Sequence, residues 1–263
     1  MTFNRRRTTM SRTTALFIAA MLGCTSFAAL DARADEGVAK GDTSAKKIAF
    51  SNSYAGNSFR QVMIKSFEEM GAKAVADKQI AATAVVSSNN SVTEQASQIE
   101  NLILQGYDAI IVLAGSDTAL NGAIKDACNA GITVVAFASG VTEPCAYVVD
   151  YNLDSYAKAE LDFISSKLGD KPANILEIRG MAGDGFDKRL HEGVEKAMKA
   201  HASYKAVGEV YGQWTATVAQ KEVSGILPSL PQVDAVLTQG GDGYGAAQAF
   251  KAANRPLPII IMG

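Results

Sequence analysis

Short apolar runs alternate with amphipathic segments from Lys46 onward, and this alternation constrains the fold more than any other feature. In the first unit, the apolar run Ile48–Phe50 leads through a polar loop into a segment with Val62, Phe67 and Met70 on one helical face. The runs are continuous rather than alternating in polarity, which is typical of strands in a parallel sheet covered on both faces. The sequence therefore predicts an α/β protein of strand–helix units with right-handed crossovers.

The predicted elements fall into two sets. Strands are predicted at Lys47–Phe50, Thr83–Val86, Ala109–Leu113, Thr133–Phe137, Tyr147–Val149, Asn174–Ile178, Ala206–Val210, Ala235–Leu237 and Ile259–Met262. Helices are predicted at Phe59–Lys73, Ser91–Gln105, Thr118–Ala130, Ser155–Leu168, Asp187–Ala200, Val218–Leu227 and Gly245–Ala253. Because the irregular stretch Ala138–Ala146 separates the two sets, we predict two α/β lobes in tandem, over residues 46–145 and 146–263.

The first 34 residues have the pattern of a signal peptide. Arginines between Arg5 and Arg12 precede the uncharged run Ala15–Leu30, and Ala32–Ala34 provides a small-x-small cleavage site. We therefore expect export to the periplasm, followed by a small polar linker over residues 35–45. A less favoured alternative is a lipoprotein anchored at Cys24, which follows a Leu-Gly pair.

Composition excludes a nucleic-acid partner and raises the question of a disulfide. The full chain has a net charge of −2, and removal of residues 1–34, with five arginines and one aspartate, leaves −6. A mildly acidic chain without a basic run is a poor ligand for nucleic-acid phosphates. Two cysteines remain, Cys128 and Cys145, which either form a disulfide after export or stay as separate thiols.

The loop after the first strand indicates a neutral polar ligand. Ser51–Ser58 contains a single glycine and no phosphate-binding motif, so it is not suited to a nucleotide. It offers Ser, Asn and Tyr side chains for hydrogen bonds, and Phe59 follows for stacking. His191 and His201 have no metal-ligand spacing and are interpreted as surface residues, so no metal and no cofactor are expected.

Five segments resemble the periplasmic sugar-binding proteins of ABC importers, in the ribose-binding cluster. They are KKIAFSNSYAGNSF, EQASQIENLILQGYDAIIVLAGSDTAL, CNAGITVVAF, RGMAGDGFDKRLHEGVEKAM and PQVDAVLTQGGDGYGAAQAFKAA, in that order. The resemblance implies a type I periplasmic binding protein: two Rossmann-like lobes on a hinge, with a sugar enclosed between them. It also implies a return of the chain to the first lobe after Ile259–Gly263, so we expect the sequence to lack a C-terminal part of the fold.

The resemblance also implies a set of ligand-binding residues. By position these are Asn57, Phe59, Arg60, Ser139, Lys188, Arg189, Trp214, Gln239 and Asp242. Lys188 aligns with a sugar-binding arginine, and the adjacent Arg189 is the alternative. The chain departs from ribose binders at three places: Arg60 stands where they have a phenylalanine, Ala138-Ser139 where they have Asp-Arg, and Gly240 where they have an asparagine. These departures make ribose itself doubtful as the ligand.

The expected function is that of a receptor without enzymatic activity. It would capture a small neutral sugar or polyol between the lobes and, as a monomer, deliver it to the membrane permease of an ABC importer. One alternative is a periplasmic sensing subunit that signals to a membrane receptor. A weaker alternative is a dinucleotide-dependent oxidoreductase, because Gly241–Ala246 fits G-x-G-x-x-A, but no acidic residue follows at the required distance.

Overall fold

The structure, a computed structural model, describes residues 41–262. The predicted signal peptide over residues 1–34, the alternative anchor at Cys24 and most of the predicted linker lie outside these residues. The part from Asp42 onward forms one compact unit. Among the residues described, no helix combines the length and apolarity needed to cross a membrane.

Nine strands within residues 41–262 form two sheets, and each sheet is parallel throughout. The first sheet has the order β2-β1-β3-β4-β5, and the second has the order β7-β6-β8-β9. The strands are β1 (Lys47–Asn52), β2 (Ala82–Ser87), β3 (Ala109–Leu113), β4 (Thr133–Phe137), β5 (Tyr147–Val149), β6 (Ala173–Arg179), β7 (Tyr204–Tyr211), β8 (Ala235–Thr238) and β9 (Ile259–Ile260). The parallel α/β fold predicted from the sequence is confirmed.

Seven α-helices connect these strands. They are α1 (Ser58–Ala76), α2 (Val92–Leu104), α3 (Asn121–Asn129), α4 (Leu153–Leu168), α5 (Gly185–Met198), α6 (Ala216–Ile226) and α7 (Gly243–Ala252). Four begin at a capping residue whose side chain accepts a backbone hydrogen bond in the first turn: Asn57, Ser91, Asn152 and Asp184. Each helix lies within three residues of its predicted limits at both ends.

Strand β5 corrects the predicted boundary between the lobes. Tyr147–Val149 was assigned to the second lobe, but it pairs with β4 in parallel, with Val135 opposite Tyr147. The irregular stretch over residues 138–146 joins these two neighbouring strands without a helix. We therefore use "first lobe" for residues 46–149 and "second lobe" for residues 153–262, with the crossing between them at residues 150–152.

Each lobe buries apolar side chains on both faces of its sheet. In the first lobe, α2 and α3 cover one face around Ile99, Ile110 and Ile124, and α1 covers the other face around Phe50. In the second lobe, α4 and α5 pack on one face and α6 and α7 on the other. Burial on both faces explains the continuous apolar runs in the strand sequences.

A disulfide links the end of α3 to the segment before β5. The sulfur atoms of Cys128 and Cys145 are 2.06 Å apart, and the Cα atoms are separated by 6.4 Å. The two cysteines are 17 residues apart in the chain. This pairing is the disulfide that the sequence left open as one of two alternatives.

Candidate functional site

A cavity of about 300 Å³ lies between the two sheets, at loops that follow their strands. In each sheet the strand order changes direction, between β1 and β3 in the first and between β6 and β8 in the second. Ligands of open α/β sheets bind at the carboxyl ends of strands at such points. The cavity is lined by Asn57, Ser58, Phe59, Arg60, Leu113, Ala138, Ser139, Tyr151, Leu153, Tyr156, Phe186, Trp214, Gln239, Gly240 and Gly241.

Arg60 brings a buried positive charge to this cavity. Only 6% of the residue is exposed, and burial lowers the pKa of its guanidinium to about 10, which leaves it charged at neutral pH. Its Nη1 donates hydrogen bonds to Asn52 Oδ1 at 2.8 Å and to Ser53 Oγ at 3.3 Å. Both acceptors are neutral, and no carboxylate among the described residues lies within 4 Å of the guanidinium nitrogens. Arg60 is therefore fixed by the first lobe with donor capacity left for a ligand.

Asn52 orients Arg60, and the sequence did not single it out. The Asn52 side-chain amide donates to Tyr54 O at 2.6 Å and to Ser87 Oγ at 3.2 Å, so its oxygen is turned towards Arg60. Asn57 also has a local task, because its Oδ1 accepts the backbone N–H of Arg60 at 2.9 Å and caps α1. This leaves the amide nitrogen of Asn57 for a ligand.

Trp214 reaches the cavity through a strained loop. Gln213 and Trp214 have φ angles of 54° and 55°, in the left-handed region that few non-glycine residues adopt. The indole lies against Gly180 and Gly240: a Cβ on Gly180 would be 2.2 Å from Cζ2, and one on Gly240 would be 3.2 Å from Cδ1. Strain of this kind persists only where surrounding contacts hold it, and it is common at ligand sites.

Three aromatic residues of the cavity were missed by the sequence analysis: Tyr151, Tyr156 and Phe186. The Phe186 ring lies between two of the others: its centroid is 6.1 Å from that of Tyr151 and 6.4 Å from that of Trp214, and both pairs are edge-to-face. Phe186 occupies the first turn of α5 after a glycine-containing loop, a position similar to that of Phe59 in α1. That shared position was the available signal. Tyr151, in the crossing segment, had no sequence signal of this kind.

Two further predicted residues, Gln239 and Ser139, line the cavity, and Gln239 is largely committed to hydrogen bonds within the protein. Gln239 Oε1 accepts the backbone N–H of Gly180 at 3.0 Å, and its Nε2 donates to Asp187 O at 3.2 Å. Gln239 thus ties the end of β8 to the end of β6 and to α5. Ser139 is buried, and it follows Ala138, whose φ of 59° turns the chain at the end of β4.

Lys188 and Arg189 were both predicted as ligand contacts, and neither lines the cavity. The Lys188 side chain is 69% exposed and lies 4.0 Å from Glu192 on the outside of α5. Arg189 pairs with Asp150 in the crossing segment and donates to Gly185 O at 3.2 Å. In a helix, residues three and four apart share a face, so Lys188, two residues after Phe186, lies on another face. Arg189, three residues after Phe186, is on the same side but is held by Asp150 and Gly185.

Asp242 also lies outside the cavity lining, although it was predicted to replace a missing hydrogen-bonding group at Gly240. It is fully buried, and its carboxylate lies beside Gly212, where a Cβ would be 2.5 Å from Oδ1. Burial raises the pKa of Asp242 to about 7. The residue therefore sits under the loop that carries Trp214 rather than against a ligand.

His191 is not the surface residue that the sequence suggested. Its side chain is 20% exposed, and Nδ1 lies 2.9 Å from a carboxylate oxygen of Glu177 in β6. The partner, Glu177, comes from a neighbouring strand and not from the helix that carries His191. The spacing of His and acidic residues along the chain therefore does not reveal this pair. His201 is half-buried and stacks on Tyr204, with ring centroids 5.1 Å apart.

The two lobes approach each other closely beside the cavity. A Cβ on Gly185 of the second lobe would be 3.2 Å from Cβ of Asp117 in the first lobe. The cavity between them combines five aromatic side chains with one guanidinium, amides and hydroxyls. Aromatic faces cover the C–H surfaces of a small polar molecule, and the polar groups bind its hydroxyls.

Comparison with known proteins agrees with this architecture. Residues 48–263 match the family model described as "Periplasmic binding protein domain". A xylitol-binding protein of Mycolicibacterium smegmatis is 30% identical over 178 residues, which are 66% of this chain and 51% of that protein. A ribose import binding protein of Haemophilus influenzae is 26% identical over 193 residues, which are 72% of this chain and 65% of that protein. The chain thus matches between about half and two thirds of the length of these relatives.

A solved structure shows the same fold. The ABC transporter solute binding protein from Thermobispora bispora superposes with a TM-score of 0.78 at 39% identity, over 82% of this chain and 67% of that one. The chain belongs to the periplasmic binding protein domain family.

Proposed function

We propose that the protein is an exported receptor that binds a small neutral sugar or polyol between its lobes and delivers it to an ABC importer. The observation that carries the proposal is the aromatic cavity at the strand ends of both sheets, with Arg60 as its one charged lining residue among those described. Flat aromatic faces and neutral donors suit a hydroxylated ligand without charge. The relatives named for binding xylitol and ribose support the same class.

Binding would couple to closure of the lobes. Phe59 and Arg60 belong to the first lobe, whereas Phe186, Trp214 and Gln239 belong to the second, so a ligand in the cavity touches both. A ligand that contacts both lobes stabilises the closed form through contacts that the open form cannot make. The receptor performs no chemistry on the ligand in this scheme, and the closed form is the one that docks on the permease in the membrane.

Ligand-dependent thermal stability tests the proposal. We expect at least one member of a panel of pentoses, hexoses and short polyols, including xylitol and ribose, to raise the Tm of the purified protein. At a ligand concentration 100 times Kd, the expected rise is about 5 to 10 °C. If no member of the panel raises the Tm, the sugar and polyol assignment is wrong.

Two aromatic variants locate the binding site. Trp214→Ala should abolish the Tm rise, because it removes an aromatic wall of the cavity. Tyr244→Ala is the matched control, since Tyr244 is an exposed aromatic residue outside the cavity lining, and its response should equal that of the unmodified protein.

Secretion is tested separately: the N-terminal sequence of the exported protein should begin at Asp35.

A further inference from the structure

The second lobe contains a second cavity of about 500 Å³ that shares no lining residue with the ligand cavity. It lies between β6, β7 and α5, and its lining includes Glu177, His191, Glu195 and Glu209. These side chains take no part in the proposed sugar binding. A histidine and three carboxylates around one cavity are a set of groups that can bind a metal ion.

The spacing of the central pair fits two ligands of one ion. His191 Nδ1 lies 2.9 Å and 3.0 Å from the two carboxylate oxygens of Glu177. Two atoms bound to the same zinc ion at its usual bond lengths are roughly 3 to 3.5 Å apart. One ligand atom from each of Glu177, His191 and Glu209 lies within 4.8 Å of the others. We infer that Glu177, His191 and Glu209 form a binding site for one divalent transition-metal cation.

The other nitrogen of the imidazole has a carboxylate of its own. His191 Nε2 lies 3.7 Å from Glu195 Oε1, one helical turn further along α5. Without a metal, the closer carboxylate of Glu177 favours the proton on Nδ1. A metal bound at Nδ1 would displace that proton, and the remaining ring proton would lie on Nε2, on the side of Glu195. Metal-binding histidines usually have such an outer partner, which fixes the ring and makes it a better ligand.

The local charge favours a cation. Arg179 donates to Glu209 Oε1 at 3.1 Å, but it also holds Asp187 through Nη2 at 2.6 Å, so its charge is shared. Glu209 keeps its second carboxylate oxygen for an ion. Lys199 is exposed at the edge of the cavity, and the lining sets three carboxylates against it: Glu177, Glu195 and Glu209.

A buried acid lies next to the site. Glu160 of α4 is 6% exposed, its Oε1 has no hydrogen-bond partner among the described residues, and the charge of Glu177 acts on it.

The ligand set selects the class of cation. One imidazole with carboxylates suits Zn²⁺, and Mn²⁺ should bind more weakly by the usual order of divalent affinities. Mg²⁺ and Ca²⁺ prefer oxygen ligands throughout and gain nothing from the imidazole. The experiment is therefore a calorimetric titration of Zn²⁺ into chelator-treated protein, with Mn²⁺ and Mg²⁺ in parallel.

We expect one Zn²⁺ per chain. His191→Gln should lower the affinity at least 10-fold while its amide still donates to Glu177. His201→Gln, at the other described histidine, should leave it unchanged. Glu209→Gln should weaken binding, and Glu192→Gln, on the outer face of α5, should not. No stoichiometric Zn²⁺ binding, or equal binding by His191→Gln, would overturn the assignment and leave an ordinary ion pair.

Discussion

The Trp214 ring lies directly on the backbone of Gly180, with no room for a side chain between them. A Cβ on Gly180 would be 2.2 Å from Cζ2 of the indole, closer than side-chain atoms pack. Gly180 follows β6, and its N–H is held by both Asp187 Oδ1 at 2.9 Å and Gln239 Oε1 at 3.0 Å. The backbone cannot retreat without breaking these bonds, so the position of the indole depends on the absence of a side chain at residue 180.

Gly180→Ala should therefore displace Trp214 and weaken ligand binding at least 10-fold in a calorimetric titration. Gly225→Ala is the control, because a Cβ there meets no atom within 4 Å. It should leave the affinity unchanged and stabilise α6 by about 0.5 to 1 kcal/mol. Unchanged affinity in Gly180→Ala would mean that the indole is not a ligand contact in its observed position.

Arg60→Lys keeps the positive charge but loses the planar fork of donors. Because a lysine amine cannot reproduce the bonds to Asn52 and Ser53 and still face the cavity, ligand affinity should fall roughly 10- to 100-fold. Lys65→Met removes an exposed charge from the same helix and should have no effect on binding. Affinity of Arg60→Lys equal to that of the unmodified protein would exclude a direct role for the guanidinium.

Glu160 should make the protein less stable as the pH rises. Burial, and then the charge of Glu177, raise the pKa of Glu160 to about 8 in the folded protein, from an ordinary value of 4.5. A carboxyl group with a raised pKa favours folding while it stays protonated, and this contribution is lost as the pH rises from about 4.5 through about 8. Glu160→Gln stays neutral throughout, so its advantage over the unmodified protein should grow with pH.

Urea unfolding at pH 5 and pH 8, with chelator present, measures this difference. At pH 8 we expect Glu160→Gln to have a free energy of unfolding higher by on the order of 1 to 4 kcal/mol, with a much smaller difference at pH 5. Glu192→Gln, at an exposed site, should show no such change between the two pH values. An advantage of Glu160→Gln that does not depend on pH would show that relief of a buried charge is not its cause.

Reduction of the disulfide should destabilise the protein. A bridge that closes a loop of this length contributes about 3 kcal/mol, by restricting the unfolded chain. The double variant Cys128→Ser, Cys145→Ser should therefore unfold at lower urea concentration than the oxidised protein, and addition of a reductant should not change its midpoint. Because neither cysteine lines the ligand cavity, the folded double variant should keep its ligand affinity. A reductant that leaves the midpoint of the unmodified protein unchanged would contradict the prediction.

The sequence by itself determined the element order and the fold class. Continuous apolar runs and helical apolar faces are local patterns, and each predicted strand and helix has a counterpart in the structure. It also located Asn57, Phe59, Arg60, Ser139, Trp214 and Gln239, which all line the cavity. These residues come from loops and helix starts directly after strands, where the parallel fold places its ligand site.

The tertiary structure decided which side chains face one another. Strand β5 belongs to the first sheet because the edge of β4 was free, which no local pattern records. Lys188 lies on the outer face of α5, Arg189 pairs with Asp150 instead of lining the cavity, and Asp242 is buried beneath the Trp214 loop. Glu177, His191 and Glu209 meet only because β6, α5 and β7 pack together. Helix rotation and strand order are set by packing between distant segments, so the sequence fixes them only through the complete fold.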